Sequence, residues 1–174
     1  MGSQAIVLIG MPGAGKSTVG VALARLMQWG FVDIDDVVAY EVGDIAAFIE
    51  SDGIEAFRAR ESTAVDAVTR AIRDGAAPAT VVAVGGGAIL AADNRAALRA
   101  TGPVVWLHAS IETLLDHVGA GEGRPLLAEG AEPALRRLLD ERAPLYAETA
   151  TVIVKVDGLD PNEIAVDVVK ALAA

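Results

Sequence analysis

The sequence predicts an α/β fold, a mostly parallel sheet covered by helices on both faces. Three observations carry that expectation. Short strand-like segments alternate with helical ones along the chain, the pattern of repeated βα units. The strand-like segments are nearly continuous Val, Ile and Leu, as strands buried on both faces require. A glycine-rich loop lies between the first strand and the first helix.

In chain order, residues 4–10 (QAIVLIG) form an apolar run of strand length. Residues 16–28 read as a helix, with Val19, Ala22, Leu23 and Leu26 at i, i+3, i+4 and i+7. Residues 31–35 (FVDID) read as a second strand. Residues 53–73 read as a longer helix, with Ile54, Phe57, Val65, Val68 and Ile72 on one face. Residues 80–84 are a third strand, ending at Gly85, Gly86 and Gly87. A short helix over 94–99, a fourth strand over 103–108 and a helix over 111–117 follow. Residues 119–133 hold four glycines, two prolines and three glutamates, and read as a mobile loop inside the domain. Residues 133–142 form a helix with proline in its first turn, and residues 151–156 a fifth strand. The last helix starts at Asp160 and Pro161, a cap followed by a favoured first residue, and buries Ile164, Val168 and Leu172.

A chain of 174 residues predicts one domain, over residues 1–174, with enough length to bury a core. It contains no cysteine, which excludes disulfides, thiol catalysis and thiolate metal sites. Two histidines, His108 and His117, make a histidine-rich metal site unexpected. No apolar run approaches the roughly 20 residues of a spanning helix, and no basic segment precedes the first apolar run, so neither membrane insertion nor a signal peptide is expected. The net charge of −10 opposes a nucleic-acid backbone, so nucleic acid is not expected as a partner. It also opposes any anionic ligand at long range, so an anion site must be built locally.

One such site is legible. Residues 10–17 (GMPGAGKS) match G-x-x-x-x-G-K-[ST] between a strand and a helix, the context in which that motif cradles phosphate. Glycines allow backbone N–H groups, here those of Gly13, Ala14, Gly15 and Thr18 among them, to curl around phosphate oxygens. Lys16 would neutralise the β- and γ-phosphates, and the Ser17 hydroxyl would face Mg²⁺. The loop points to a nucleoside triphosphate without choosing among kinase, ATPase and GTPase.

Asp33 and Asp35 flank Ile34, so a strand would aim both carboxylates to one side, at the end where open α/β sheets gather ligands. Asp33 is assigned to the metal side and Asp35 to an acceptor hydroxyl, to orient it or take its proton. One or both could instead cap a helix starting near Asp36, and capping is the role given to Asp36 itself. On the long helix, Arg58 and Glu61 are i, i+3 neighbours, and Glu61 falls in the apolar stripe, placed to hold Arg58. Arg124 lies in the 119–133 loop, and Arg142 follows a helix. The planar fork of arginine suits carboxylate or phosphate, so convergence of two would predict an anionic acceptor. Spacing alone leaves Arg58, Arg124 and Arg142 open between site and surface. It assigns Arg25, Arg70, Arg73, Arg95, Arg99 and Arg137 to the surface. The triple glycine Gly85–Gly87, again at a strand end, allows close approach of backbone to a ligand.

Taken as an ordered set, these residues resemble the shikimate kinase family. The set comprises residues 10–18, Asp33 and Asp35, Gly53 through Phe57 and Arg58 to Glu61, Gly85–Gly87, residues 124–127 (RPLL) and residues 142–146 (RAPLY), spread over about 5–156. The resemblance implies a three-layer P-loop kinase fold with a five-stranded parallel sheet in the order 2-3-1-4-5. It implies a shikimate-binding helical segment over about 36–62 and a lid over about 119–133. The reaction implied is transfer of the γ-phosphoryl of ATP to the 3-hydroxyl of shikimate, giving shikimate 3-phosphate and ADP, in aromatic amino-acid biosynthesis. ATP and Mg²⁺ are the implied nucleotide and metal, and a cytoplasmic monomer with no nucleic-acid or membrane partner is expected.

The resemblance also implies roles. Lys16 holds phosphate, Ser17 and Asp33 serve the metal, and Asp35 binds the shikimate hydroxyls as candidate base. Arg58 and Arg142 grip the shikimate carboxylate, Gly85, Gly86, Gly87 and Phe57 complete its pocket, and Arg124 closes onto the phosphates. His117 stands where an adenine-stacking arginine is common, and the segment from Asp157 to Pro161 borders the adenine. Two other readings share the phosphate loop: a P-loop kinase for another hydroxylated acid such as gluconate, and a non-catalytic nucleotide-binding module. Intact Lys16, Ser17, Asp33 and Asp35 argue against the module.

Overall fold

The computed structural model describes residues 5–118 and 130–174. Five parallel strands form one sheet in the order β2-β3-β1-β4-β5. They are β1 (Ala5–Ile9), β2 (Gly30–Asp33), β3 (Thr80–Ala83), β4 (Val104–His108) and β5 (Val152–Lys155). The central strands β1, β3 and β4 are almost wholly buried, as their continuous apolar sequences require. The helices are α1 (Lys16–Met27), α2 (Ile34–Val42), α3 (Ile45–Asp52), α4 (Ile54–Arg73), α5 (Ala92–Thr101), α6 (Ile111–Val118), α7 (Ala131–Thr149) and α8 (Pro161–Ala173). A 3-10 turn over Ala88–Leu90 follows the triple glycine. Among the described residues, no helix is long and apolar enough to cross a membrane.

Four expectations change. Asp35 is not in a strand: β2 ends at Asp33, and α2 begins at Ile34. The cap of α2 is Asp33, whose Oδ1 accepts from the Asp35 amide at 3.0 Å. Asp36 therefore lies in the first turn and is not the cap. A carboxylate two residues before a free amide competes with continued strand pairing, and here it ends the strand. The helix expected over 133–142 starts at Ala131 and runs on to Thr149, through Pro144. Its buried stripe of Leu135, Leu138, Arg142, Tyr146 and Thr149 keeps helical spacing past the proline. Pro144 faces solvent, where water can satisfy the carbonyl it leaves without a partner. Arg142 is therefore inside a helix, held rigidly, rather than after one. Leu26, expected in the buried stripe of α1, is 50% exposed, whereas Val19 and Leu23 are buried as predicted.

The helical segment expected over 36–62 is present as α2, α3 and the first half of α4, joined by tight turns at Gly43 and Gly53. Asp44 caps α3 by accepting from the Ala47 amide at 2.8 Å. α8 starts with a full capping box: Asp160 accepts from Asn162 and Glu163 amides, and Glu163 reaches back to the Asp160 amide at 2.9 Å.

Candidate active site

The C-terminal ends of β1, β2 and β3 open into a cleft of about 710 Å³. Nearly every predicted site residue lines it. The loop residues Gly13, Ala14 and Gly15 lie there with Lys16, Ser17 and Thr18. So do Asp33, Asp35, Phe57, Arg58, Gly85–Gly87, His117, Arg142 and Pro161. Arg124, with most of the expected lid, lies outside the described residues.

The phosphate loop owes its form to Gly15, which sits in the left-handed region at φ 81° and starts α1 with no side-chain cap. α2, α3 and α8 each spend an aspartate on their first amides. α1 has neither a cap nor an acidic residue in its first turn, so its leading N–H groups and dipole face the cleft uncancelled. Lys16 donates to the carbonyls of Gly10 and Met11, at 3.0 and 2.9 Å, which folds its ammonium back over the loop.

Ser17 Oγ donates to Asp33 Oδ2 at 2.5 Å, bringing a hydroxyl and a carboxylate together beside the loop. No group of three or more His, Cys, Asp or Glu side chains that could hold a metal occurs among the described residues. This donor set, one hydroxyl and one carboxylate, fits Mg²⁺, which keeps waters and takes substrate phosphates as ligands rather than a full protein cage.

On the other side of the cleft, Arg58 Nη1 donates to Glu61 Oε2 at 2.6 Å. Glu61 is 1% exposed, and Arg58 is the ion-pair partner that offsets the cost of burying it. The expectation that Glu61 points inward and fixes Arg58 is met. Arg142 is 3% exposed, and its buried Nε has no hydrogen-bond partner, a donor held ready in the cleft wall. Asp35 Oδ1 and Glu61 Oε1 are likewise buried and without partners. Burial, then the charge of Asp33, raises the Asp35 carboxyl above its ordinary value, with Lys16 and Arg58 opposing. Burial also raises Glu61, against the pull of Arg58.

The triple glycine packs between these groups. A Cβ on Gly85 would collide with Glu61 Oε1 and lie 2.8 Å from Asp35 Oδ1. One on Gly87 would collide with the Arg58 guanidinium, and one on Gly86 would lie 2.7 Å from Pro12 Cδ. A side chain at Gly86 would meet the Pro12 ring and backbone, whereas one at Gly85 or Gly87 would displace the ends of Glu61, Asp35 or Arg58, so the glycines leave those groups where they stand. Asn94 and Arg95 of α5 hold the following turn, donating to the carbonyls of Ala88 and of Ile89 and Leu90.

Beside the phosphate loop, His117 Nδ1 lies 2.8 Å from the Gly13 carbonyl. Because a carbonyl can only accept, that nitrogen carries the proton. His117 thus ties α6 to the back of the phosphate loop, a contact that sequence reasoning did not foresee. Asp157 Oδ1 accepts from the Ser110 amide at 2.8 Å and from Thr113 Oγ1 at 2.7 Å. The backbone bond from Ser110 is the main cause that lowers its carboxyl. This clasp fixes the segment before Pro161 against the start of α6. Sequence reasoning also missed Ile45, Ala46 and Ile49 of α3, which line the cleft. Their signal was Asp44 followed by a mostly apolar run, a capped helix start.

The family model for shikimate kinase matches residues 12–173. The shikimate kinase of Salinispora arenicola is 44% identical over 169 residues, 97% of each chain. The solved structure of the shikimate kinase from Acinetobacter baumannii, in complex with shikimate, superposes with a TM-score of 0.90 at 35% identity, covering 98% of this chain and 93% of that one. A gluconokinase from Sinorhizobium meliloti superposes with a TM-score of 0.63 at 24% identity, over 98% of this chain and 92% of its own, a likeness of fold alone. The phosphate loop, the paired aspartates, the two arginines and the glycine cradle therefore sit in a chain that belongs to the shikimate kinase family, the ATP-dependent enzymes that phosphorylate a hydroxyl of shikimate.

Proposed function

We propose that this chain transfers the γ-phosphoryl group of ATP to the 3-hydroxyl of shikimate, with the roles divided across the cleft. The observation that carries this reading is Asp35. Its unpartnered, buried Oδ1 stands in the same cleft as the phosphate loop and the Arg58–Arg142 pair. The loop amides and Lys16 hold the β- and γ-phosphates. Ser17 and Asp33 hold Mg²⁺, which when bound neutralises charge on those phosphates. Arg58 and Arg142 grip the carboxylate, the N–H groups of Gly86 and Gly87 contact the ring substituents, and Phe57 closes one wall. Asp35 accepts a hydrogen bond from the 3-hydroxyl and aims its oxygen at the γ-phosphorus. The acceptor oxygen then bonds to that phosphorus as the bond to the β–γ bridging oxygen breaks, and the hydroxyl proton passes to Asp35. Positioning and charge complementarity supply most of the acceleration. The acidic balance disfavours a nucleic-acid partner, and a cytoplasmic monomer acting on small molecules is part of the same proposal.

The test is ADP release with MgATP, comparing shikimate, gluconate and no acceptor. The expected result is turnover on shikimate alone, abolished by Lys16→Ala. Gluconate turnover at an equal rate, or nucleotide binding with no turnover on either acid, would overturn the reading.

A further inference from the structure

Tyr146 has no part in the scheme above, yet it touches both halves of the acceptor pocket. It lies one helical turn after Arg142 on α7, on the same face, and its side chain is fully buried. Its hydroxyl donates to the Gly86 carbonyl at 2.5 Å. That bond ties α7, and with it Arg142, to the triple glycine, and the Arg142 guanidinium lies near enough for its charge to act on the phenol. Its ring stacks on Trp106, with centroids 5.5 Å apart and planes at 28°, and Trp106 is fixed in β4 of the sheet. A phenol has one proton, and here it is spent on the Gly86 carbonyl, so the hydroxyl holds α7 at a fixed distance from the glycine backbone. Burial keeps that proton in place: the phenol is raised to about 12, well above working pH.

Resting on the reading that Arg142 grips the acceptor carboxylate, we infer that Tyr146 is a positioning residue for the acceptor. Its hydroxyl sets the distance between the Arg142 guanidinium and the backbone N–H groups of the triple glycine. Gly86 packs against Pro12 of the phosphate loop, so the same link registers the carboxylate grip against the phosphates. Without the hydroxyl, the Gly86 carbonyl loses its donor, and the stretch of α7 that carries Arg142 loses its tie to the triple glycine.

The experiment is a kinetic double-mutant cycle on Tyr146→Phe and Arg142→Ala, with KM for shikimate and for ATP measured separately. Tyr146→Phe keeps the ring and its stacking. It is expected to raise the shikimate KM about tenfold while the ATP KM stays within about twofold. In the Arg142→Ala background, the same substitution should change the shikimate KM by less than about twofold, because the residue acts through that guanidinium. An unchanged shikimate KM, equal losses for both substrates, or full additivity would overturn the inference. If Arg142→Ala leaves the shikimate KM unchanged, the reading of the arginine has failed and the inference falls with it. If Arg142→Ala raises that KM and Tyr146→Phe does not, the inference alone falls. Should Tyr146→Phe fail to fold, Trp106→Phe keeps the hydroxyl and loosens only the ring. It should raise the shikimate KM and spare that for ATP, and no change would again overturn the inference.

Discussion

Asp35 is unfavourable for the fold, and the proposed reaction gives it the acceptor proton. Its carboxyl is raised because it is buried beside Asp33 with one oxygen unpaired. A carboxylate whose folded value exceeds its unfolded one, ordinarily 3.8, destabilises the native state once pH passes the unfolded value. Below that pH both states are protonated and the penalty is absent. Asp35→Asn should therefore raise the ligand-free Tm at pH 7, with the gain shrinking as pH falls toward about 4. Turnover should drop at least about a hundredfold in the same variant. In the wild type, turnover should fall on the acid side as Asp35 takes up its proton. A Tm gain that persists undiminished at pH 4 would show that charge is not its source, and near-normal turnover would remove Asp35 from the chemistry. Both aspartates were legible in the sequence as a pair. Their backbone was not, because a capping carboxylate and a strand-end carboxylate look alike until the next amide is located. Tyr146 was legible only as part of a motif, since its hydrogen bond to Gly86 joins residues 60 apart.

Elements were read well where one force dominated. The buried strands declared themselves by composition, and α4 by its stripe of Phe57, Val65 and Ile72. α7 was read as ending at Arg142, two residues before Pro144, although its burial period continues to Thr149. Side-chain packing outweighed one lost backbone bond, which solvent satisfies at little cost. α8 offers the cleanest test of a local signal. Asp160 satisfies two amides, and its box with Glu163 sets where Pro161 enters the cleft. Asp160→Ala should cost about 1 kcal/mol, a Tm loss of roughly 2–4 °C for a chain of this length. It should also raise the ATP KM and leave that for shikimate unchanged. Thermal melts and the two saturation curves check this, and an equal rise in both KM values would show that the helix start serves more than the nucleotide side.

For the whole molecule, the halves of the cleft proposed above for the phosphates and for the acceptor rest on different supports. The phosphate half is strand, loop and α1. The acceptor half is mostly α2 to α4, a single stretch between β2 and β3, joined by Arg142 from far along the chain. Each ligand should stabilise the fold by mass action, about 2.7 kcal/mol at a hundred times its Kd. That corresponds to a Tm rise of roughly 5–10 °C. Lys16→Ala should abolish the rise given by MgATP and keep the rise given by shikimate, as read by differential scanning calorimetry. Loss of both would mean that the acceptor half is assembled by the phosphate loop. The sheet order, the helical segment over 36–62 and the gathering of distant motifs into one cleft were expected from the resemblance, while the clasp of Asp157 on Ser110 and Thr113 was not. Those contacts join segments with no shared periodicity, and only the folded chain brings them together.

The aromatic column of Trp106, Tyr146 and His108 also makes the protein its own optical reporter. Trp106 stacks on Tyr146, one helical turn from Arg142, and meets the His108 ring edge-on, with centroids 5.0 Å apart. The second indole, Trp29, sits just before β2, at the opposite end of that strand from Asp33. Replacing Trp29 with phenylalanine leaves one emitter, and its fluorescence then follows occupancy of the acceptor pocket without a label.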